Sequence, residues 1–283
     1  MIDKTPAIYQ GKLSDLDEVK ISPFSRAYTF SDSIYEVIPY FRGRPLCFNQ
    51  HVDRLKLSAK LMDIDVDFNL VINEILKLSE CLINKDGYVY FQVSRGVDLI
   101  RSHLPQEDIV PERFGYVMTA DLSSAPINAK LSEDIRWEKC NIKSTSLLGN
   151  ILLMNDAKKE DCKEIVMHKN GILTEGGASN VFYFNHTGEV RTSALNENIL
   201  PGITRDILIK ALQKSSFKTR VGQCSIEDFA ESPCIWLTSS TKGLLPLKRL
   251  IGTDYVLSDT NKDFIEIESI FKSAMQLHLE ASQ

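Results

Sequence analysis

The spacing of apolar residues predicts both strands and helices along this chain. Tyr88–Ser94 alternates strictly, with Val89, Phe91 and Val93 on one face, which is typical of a half-buried strand. His51–Met62 instead repeats apolar residues every three or four positions, as an amphipathic helix does. The two kinds of element are intermixed without a regular alternation. The pattern therefore favours an α+β fold class with mixed sheets over a doubly wound fold.

Further elements follow from the same patterns. Strands are predicted at Ser33–Tyr40, near Leu46, at Phe114–Thr119, near Ile135–Cys140, and at Glu164–His168, Asn180–Phe184 and Cys234–Thr238. Helices are predicted at Asn69–Asn84, Leu148–Lys158, Thr204–Lys214 and from about Asn261. Asn170-Gly171 between apolar runs indicates a hairpin. The Ser/Pro-rich segment 121–128 is predicted to link an N-terminal domain (1–120) to a C-terminal domain (129–283).

Composition narrows the class of protein. The 283 residues carry a net charge of -5, and no long Lys/Arg run suggests nucleic acid or an anionic membrane as partner. No apolar stretch approaches the roughly 20 residues needed to span a bilayer, and Met1–Gln10 lacks the features of a signal peptide. The six cysteines are scattered without a CxxC pair, which favours reduced thiols in a cytoplasmic protein and gives no metal site.

Lys143 is the candidate nucleophile. It follows a predicted strand and precedes a polar turn and a helix, in the string CNIKSTSLLG. At a strand end, an amine can point into an apolar cleft, where desolvation lowers its pKa and makes it able to form a Schiff base. A single lysine is more often simply solvated, so the neighbouring motifs decide between the two interpretations.

Glu175 and a helix start form the second candidate group. Glu175 precedes small residues and an apolar strand, which suits a carboxylate that contacts a flat heterocycle; the alternative is a turn with a surface Glu. Leu200–Asp206 opens a helix whose free N–H groups favour an anion, although an ordinary capped start is more common. Ile203 and Thr204 lie at that start. The hydroxyls near Ser239 and Ser240 bind the same anion or form a plain polar turn.

Two further groups carry Arg and His. Arg54 lies on the helix His51–Met62, where it pairs with phosphate from inside the fold or is an ordinary surface residue. Arg101 and His103 lie two residues apart in the loop after Tyr88–Ser94. On an extended loop they can converge on one carboxylate, and Tyr35 can add a third hydrogen bond. Alone, this is a weak pattern.

Together and in this order, these segments resemble the class IV aminotransferases of fold type IV, and among them the D-amino acid aminotransferases. The resemblance covers roughly residues 8–251. It rests on these strings: EVKIS, SDSIYEV, HVDRLKLSA, YVYFQVSRG, EDIRWEKCNIKSTSLLG, TEGGASNVF, ILPGITRD and LTSSTKGLLPL. It implies a two-domain fold, with a smaller N-terminal α/β domain and a larger C-terminal domain of mixed sheets around a barrel-like core.

The resemblance also implies pyridoxal 5'-phosphate as cofactor and a role for each candidate. Lys143 holds the cofactor covalently and moves the proton, and Glu175 binds the pyridine nitrogen. Leu200 packs on the ring. Phosphate binding falls to Arg54, Ile203, Thr204, Ser239 and Ser240. Tyr35, Arg101 and His103 resemble the carboxylate trap of D-specific members, in which the Arg and His come from the partner subunit of a homodimer.

The implied reaction is ping-pong transamination of D-amino acids such as D-alanine with 2-oxo acids such as 2-oxoglutarate. Branched-chain L-aminotransferases and aminodeoxychorismate lyases share the Lys, Glu and phosphate pattern but lack the Arg-x-His unit. A protein that binds the cofactor without turnover is another alternative. The chain departs from the family pattern in four places: Arg-x-His lies one residue late, Ser31-Asp32-Ser33 stands where Gly-Asp-Gly is common, Gly177-Ala178 replaces serines, and Ser240 replaces a threonine.

Overall fold

In the computed structural model, which describes residues 4–122, 125–257 and 261–281, the chain divides into two compact units. Unit 1 comprises Met1–Leu122, Ile142–Ser146 and Leu279–Gln283, and unit 2 comprises Ser123–Asn141 and Leu147–His278. The middle of the predicted linker, residues 123 and 124, lies outside the described residues.

Unit 1 is built on a six-stranded sheet with the order β2-β1-β6-β5-β3-β4. Every neighbouring pair in it is antiparallel. Its strands are β1 (Pro6–Tyr9), β2 (Lys12–Asp15), β3 (Ser33–Phe41), β4 (Arg44–Pro45), β5 (Gly87–Ser94) and β6 (Glu112–Thr119). Its helices are α1 (Arg26–Phe30), α2 (Phe48–Leu61) and α3 (Phe68–Ser79). The predicted helices at 51–62 and 69–84 are thus confirmed, the second ending as a 3-10 turn at Glu80–Leu82.

The alternation in β3 and β5 gives unit 1 its core. Ile34 and Ile38 from β3 join Val89 and Phe91 from β5 in one cluster, all of them fully buried. Leu55 from α2 packs in the same cluster. Burying an apolar side chain of this size stabilises a fold by about 1.5–3 kcal/mol. Core packing therefore holds α2 firmly against β3.

The segment Ile142–Ser146 belongs to unit 1 because it pairs with the start of β3. Ser144 forms an antiparallel bridge with Ile34. The backbone N–H of Tyr35 donates to the Lys143 carbonyl at 2.9 Å. The N–H of Thr145 donates to the Ser33 carbonyl, also at 2.9 Å. Backbone hydrogen bonds on both sides of Lys143 therefore set its position beside β3.

Unit 2 is built on an eight-stranded sheet with the order β12-β11-β10-β13-β14-β7-β8-β9. It is mixed, with parallel pairs β11/β12, β14/β7 and β7/β8. Its strands are β7 (Ile127–Glu133), β8 (Glu164–Lys169), β9 (Ile172–Gly176), β10 (Asn180–Phe184), β11 (Val190–Ser193), β12 (Thr219–Gly222), β13 (Ile235–Ser239) and β14 (Gly243–Ile251). Its helices are α4 (Leu148–Lys159), α5 (Ile203–Leu212) and α6 (Ile226–Ala230), with most of α7 (Lys262–Glu280).

The unit 2 sheet curls into a half-barrel. Although β9 is the outermost strand of one edge, the Ser193 hydroxyl of β11 donates to the Leu173 carbonyl of β9 at 2.8 Å. The N–H of Leu173 donates to the Cys224 carbonyl at 2.9 Å. Buried residues such as Val166, Leu173 and Leu237 fill the interior of the curl. This confirms the α+β class and the barrel-like core.

One predicted strand is wrong. Residues near Ile135–Cys140 form no strand, and the strand at this point of the chain is β7, whose first residues had been assigned to the linker. The reason is Arg136, whose side chain is 6% exposed and is held by two carboxylates instead of lying on a sheet face. The Cys140 N–H donates to the Glu197 carbonyl at 2.7 Å, outside any ladder.

None of the helices in the described ranges combines the length and the apolar character that a membrane crossing needs.

Candidate active site

The backbone at Lys143 is anchored on both sides, whereas its amine is left available. The Lys143 N–H donates to the Ser58 hydroxyl of α2 at 3.2 Å. The side chain is half-buried, and its Nζ lies 4.3 Å from the centroid of the Tyr35 ring. Within the described part of the chain, this Nζ has no hydrogen bond or ion pair. The primary amine of Lys143 therefore lies against the Tyr35 ring and is available to react with a bound group.

Glu36 of β3 is a buried acid on the apolar face of its strand. It accepts two hydrogen bonds from Arg54, at 2.6 Å from Nε and 2.9 Å from Nη2. Burial alone would raise the pKa of Glu36, but the guanidinium outweighs it and holds the pKa well below its usual range. Arg54 is thus a buried residue, only 8% exposed, that neutralises a buried carboxylate. The alternative of a surface arginine is wrong.

His51 completes this polar cluster. Its Nδ1 lies 2.7 Å from Glu36 Oε2. Burial lowers the pKa of His51 despite that carboxylate, so the ring is neutral at pH 7. A neutral ring that donates from Nδ1 leaves Nε2 as an acceptor, and this buried Nε2 lacks a partner among the described residues. Because orphaned buried acceptors are costly, this atom points to a hydrogen-bonding group that is bound here.

Arg101 and His103 lie on an exposed loop of unit 1 and share one aromatic ring. The Arg101 guanidinium is 4.8 Å from the centroid of Phe30. The His103 ring centroid is 5.5 Å from the same ring. The loop thus places both side chains against Phe30, whereas Tyr35 stacks on Tyr90 at 5.5 Å. Two of the three residues predicted for the carboxylate trap, Arg101 and His103, thus share one support, and Tyr35 does not contact it.

Glu175, near the end of β9, is the central acid of unit 2. Its Oε1 accepts from Arg136 at 2.6 Å. Its Oε2 accepts from the Asn180 amide at 3.1 Å and from the Leu200 N–H at 3.0 Å. Burial raises the pKa of Glu175 to about 7, although Arg136 opposes the rise. The carboxyl therefore exchanges its proton near neutrality, where a small change in its surroundings decides its charge.

Arg136 binds more than one partner. Its Nε and Nη2 donate to Asp134 at 2.9 and 2.7 Å. Nη2 also donates to the Asn198 carbonyl at 3.0 Å. It therefore ties the acid on β9 to the segment that leads into α5. Its one signal in the sequence is a charged residue between Ile135 and Trp137, and it was not predicted as part of the site.

Asn180 connects Glu175 to the start of α5 and to the end of β13. Its amide donates to the Leu200 carbonyl at 3.0 Å as well as to Glu175. Its strand register places it opposite Thr238, directly before Ser239 and the turn with Ser240. A Cβ on Gly202 would lie 1.9 Å from Asn180 Oδ1, so only glycine fits there. Thus Glu175, Leu200 and Thr238 all border this one residue.

The start of α5 suits an anion. The helix begins at Ile203, and its N-cap Gly202 provides no side-chain hydrogen bond to the first N–H groups. Ile203 and Thr204 are buried, whereas Ser239 and Ser240 are partly exposed. Free N–H groups and the helix dipole favour phosphate at such an end.

The structure thus groups the predicted residues within each unit. In unit 1, Lys143 contacts Tyr35, Arg54 lies in the Glu36–His51 cluster, and Arg101 and His103 share Phe30. In unit 2, Asn180 connects Glu175 and Leu200 with the α5 start and the β13 turn. Glu36, His51, Arg136 and Asn180 were not predicted as site residues from the sequence. Glu36 had a visible signal, because it interrupts the apolar face formed by Ile34 and Ile38.

Comparison with known proteins shows the family to which this chain belongs. The family model for amino-transferase class IV matches residues 33–250, which is most of the chain. The chain belongs to the class IV aminotransferases. This aminotransferase is 31% identical over 253 residues to D-alanine aminotransferase from Listeria monocytogenes serotype 1/2a (strain 10403S), with 85% of this chain and 86% of the relative covered.

Solved structures share the fold. The branched-chain amino acid aminotransferase from Escherichia coli superposes with a TM-score of 0.86 at 18% identity, covering 95% of this chain and 94% of that one. A hypothetical aminotransferase from Mycobacterium tuberculosis, in its pyridoxal-phosphate-bound form, has a TM-score of 0.82 at 16% identity, covering 95% and 98%. At such identities the likeness shows the fold, which is fold type IV.

The residues of this aminotransferase fit pyridoxal phosphate, the cofactor of its family. Unit 1 offers an unpaired primary amine at Lys143 and an orphaned acceptor at His51. Unit 2 offers a buried carboxyl whose pKa lies near 7 and an uncapped helix start. An aldehyde is chemically matched to the amine, a pyridine nitrogen to the carboxyl, and a phosphate to the helix start.

Gly202 provides a test of the unit 2 geometry. We expect Gly202→Ala to weaken cofactor binding by about tenfold, and to destabilise the protein by about 1–3 kcal/mol, because its Cβ displaces Asn180 from Glu175 and Leu200. Absorbance titration with pyridoxal phosphate and urea unfolding measure both effects. Gly222→Ala is the matched control, since its nearest neighbour would be 4.0 Å away. Equal effects in both variants would contradict the expectation.

Proposed function

We propose that this aminotransferase moves the amino group of D-amino acids such as D-alanine to 2-oxo acids such as 2-oxoglutarate, in a ping-pong reaction. The observation that carries the proposal is the convergence of Arg101 and His103 on the Phe30 ring. Two donors held on one support can bind a carboxylate together and so fix the side of the cofactor from which the substrate enters. Relatives named D-alanine aminotransferase, which match over most of their length, support it.

Lys143 is the proposed catalytic base and anchor. When bound, pyridoxal phosphate supplies an aldehyde for the amine and a ring that withdraws electrons. Lys143 Nζ would hold the cofactor covalently, and the same amine would take the proton from the substrate Cα. Ser58 and Tyr35 keep the Lys143 backbone in place, and the Tyr35 ring restricts where Nζ can move.

The remaining roles follow from the chemistry of each group. Glu175 would face the ring nitrogen, and Arg136 favours its charged form, which binds a protonated nitrogen. Leu200 would cover one face of the ring. The phosphate would be held by the α5 start at Ile203 and Thr204, with the hydroxyls of Ser239 and Ser240 and with Arg54 as a further cationic partner.

An enantiomer assay tests the function. Purified enzyme with pyridoxal phosphate and 2-oxoglutarate is supplied with D-alanine or with L-leucine, and keto-acid formation is followed. We expect turnover with D-alanine and at least about 100-fold less with L-leucine, because only one enantiomer places its Cα proton towards Lys143. The reverse preference would establish a branched-chain L-aminotransferase. Turnover of neither, with the cofactor bound, would leave a lyase or a non-catalytic binder.

A homodimer in the cytoplasm is part of the proposal. Leu99, Ile100 and Leu104, which flank the Arg-x-His unit, are 78%, 64% and 82% exposed. Large apolar side chains in such a run suit a contact with a second copy of the chain. The free thiols of Cys81, Cys140, Cys162, Cys224 and Cys234 suit a reducing compartment.

A further inference from the structure

Four charged side chains, of which Arg26 and Asp98 are buried and Arg95 and Asp32 are partly exposed, form a chain of ion pairs beside the Arg101 loop. Arg95 donates to Asp32 from Nε at 2.8 Å and from Nη2 at 3.1 Å. Arg26 Nε donates to the same Asp32 at 2.8 Å, and Arg26 Nη1 donates to Asp98 at 2.6 Å. We call this Arg95–Asp32–Arg26–Asp98 series the clamp. It contains two cations and two anions, so its charges balance.

The clamp contacts the loop at the Arg-x-His unit itself. Arg26 Nη1 donates to the Ser102 carbonyl at 2.7 Å, and its Nη2 donates to the His103 carbonyl at 3.0 Å. Ser102 lies between Arg101 and His103. The Arg26 guanidinium also lies 4.7 Å from the centroid of Phe30, the ring that supports both side chains. One buried residue therefore holds the backbone and the support of the Arg-x-His unit.

Asp98 fixes both ends of the loop. Its side chain is 3% exposed, and its Oδ1 accepts from the Gln106 N–H at 3.2 Å while its Oδ2 binds Arg26. Its own N–H donates to the Phe24 carbonyl at 3.2 Å. The loop from residue 98 to 106 is closed around this carboxylate, although the loop surface is exposed. Burial of a carboxylate costs free energy and is uncommon in a surface loop. The position of Asp98 therefore indicates a structural role in the loop.

We propose that Asp98 and Arg26 are positioning residues that set the Arg101–His103 unit for the substrate carboxylate. Asp98 precedes the Arg-x-His unit and binds Arg26, which in turn fixes the carbonyls of Ser102 and His103. The inference deepens the proposed function and rests on it. It assigns substrate affinity to residues that need not contact the substrate.

The test compares substrates with and without a carboxylate. In the holoenzyme with Asp98→Asn, we expect the KM for D-alanine to rise about tenfold while kcat changes by less than about threefold. The rate of cofactor amination by ethylamine, which has no carboxylate, stays within about twofold of the wild type. The absorption spectrum of the bound cofactor is unchanged. Asp98→Glu, which keeps the charge, restores part of the affinity.

Glu74→Gln is the matched control. It removes another buried ion pair of unit 1, in which Glu74 and Arg113 are 5% and 14% exposed and their Oε1 and Nε lie 3.0 Å apart. We expect this variant to lose thermal stability as Asp98→Asn does, but to keep the wild-type KM for D-alanine. An equal rise of KM in both variants would show a general loss of structure and overturn the proposal.

Hydrogen exchange on the unmodified holoenzyme gives a readout that does not depend on variants or turnover. We expect the Gln106 amide to exchange at least about tenfold more slowly than in a free peptide, because Asp98 accepts from it. Exchange at the free-peptide rate throughout residues 98–106 would contradict the clamp even if Asp98→Asn did not fold.

The failure of the proposed function and the failure of the clamp proposal give different results. If the wild-type enzyme does not act on D-alanine at all, the proposed function fails. If it does act on D-alanine and Asp98→Asn keeps the wild-type KM, only the clamp proposal fails.

Discussion

Replacing Lys143 with alanine is expected to lower kcat/KM for D-alanine by about 10⁴-fold or more, because the variant loses both the covalent anchor and the base. Borohydride reduction followed by peptide mass analysis should place the cofactor on the peptide containing Lys143 in the wild type and nowhere in the variant. The melting temperature of the cofactor-free protein should change little, since Nζ makes no hydrogen bond or ion pair with the described residues.

Lys139→Ala is the control for this prediction. Lys139 lies four residues earlier, 53% exposed, in an ion pair with Glu197 at 3.1 Å. A surface pair of this kind contributes little, so we expect full activity and an unchanged hydride-trapped peptide. A hydride-stable adduct on any other lysine, or normal turnover by Lys143→Ala, would contradict the assignment.

Glu175→Gln is expected to lower kcat by about 100-fold or more while cofactor binding persists. The amide keeps the size of the side chain and can still accept from Leu200, but it cannot carry the charge that keeps the ring nitrogen protonated. Steady-state kinetics and the absorbance of the bound cofactor measure the two effects. A kcat within twofold of the wild type would remove Glu175 from the mechanism.

The same variant has a signature in the cofactor-free protein. Folding raises the pKa of Glu175 from 4.5 to about 7, so the folded state binds this proton more tightly than the unfolded state. The stabilising contribution is complete below pH 4.5 and is lost as the pH rises towards 7, by about 3 kcal/mol at most. Urea unfolding of the wild type should show this decline, and Glu175→Gln should lack it. Parallel pH profiles would show that the burial of Glu175 does not govern the slope.

Local sequence patterns were enough to predict elements whose signal lies in their own residues, such as an apolar run or a turn dipeptide. Residues 180–184 were predicted as a strand and form β10, and the helix predicted at 148–158 is α4 with one more residue. Asn170-Gly171 was predicted as a hairpin turn and joins β8 to β9, with φ of +52° and +77°. In each case the signal lies within the element itself.

Elements and contacts that depend on distant partners escaped prediction. Strand β7 forms through parallel pairing with β14 and β8, and no local sequence pattern predicts that pairing. The region of Arg136 looked like a strand because apolar residues flank it, whereas two acids hold its side chain. The candidate nucleophile and acid were found because each lies in a short, unusual string. Supporting residues such as Glu36 and Asn180 could not be predicted, because their partners are distant in sequence and meet them only in the folded protein.

The pairing of Ile142–Ser146 with the start of β3 has a consequence for how this protein can be divided. β4 covers β3 only at Tyr40 and Phe41, so the returning segment protects the edge at Ser33–Tyr35. A fragment that stops at residue 122 would expose that edge and would also lack the reactive amine. Shuffling the N-terminal region between homologous genes therefore requires that five residues from the middle of the chain travel with it.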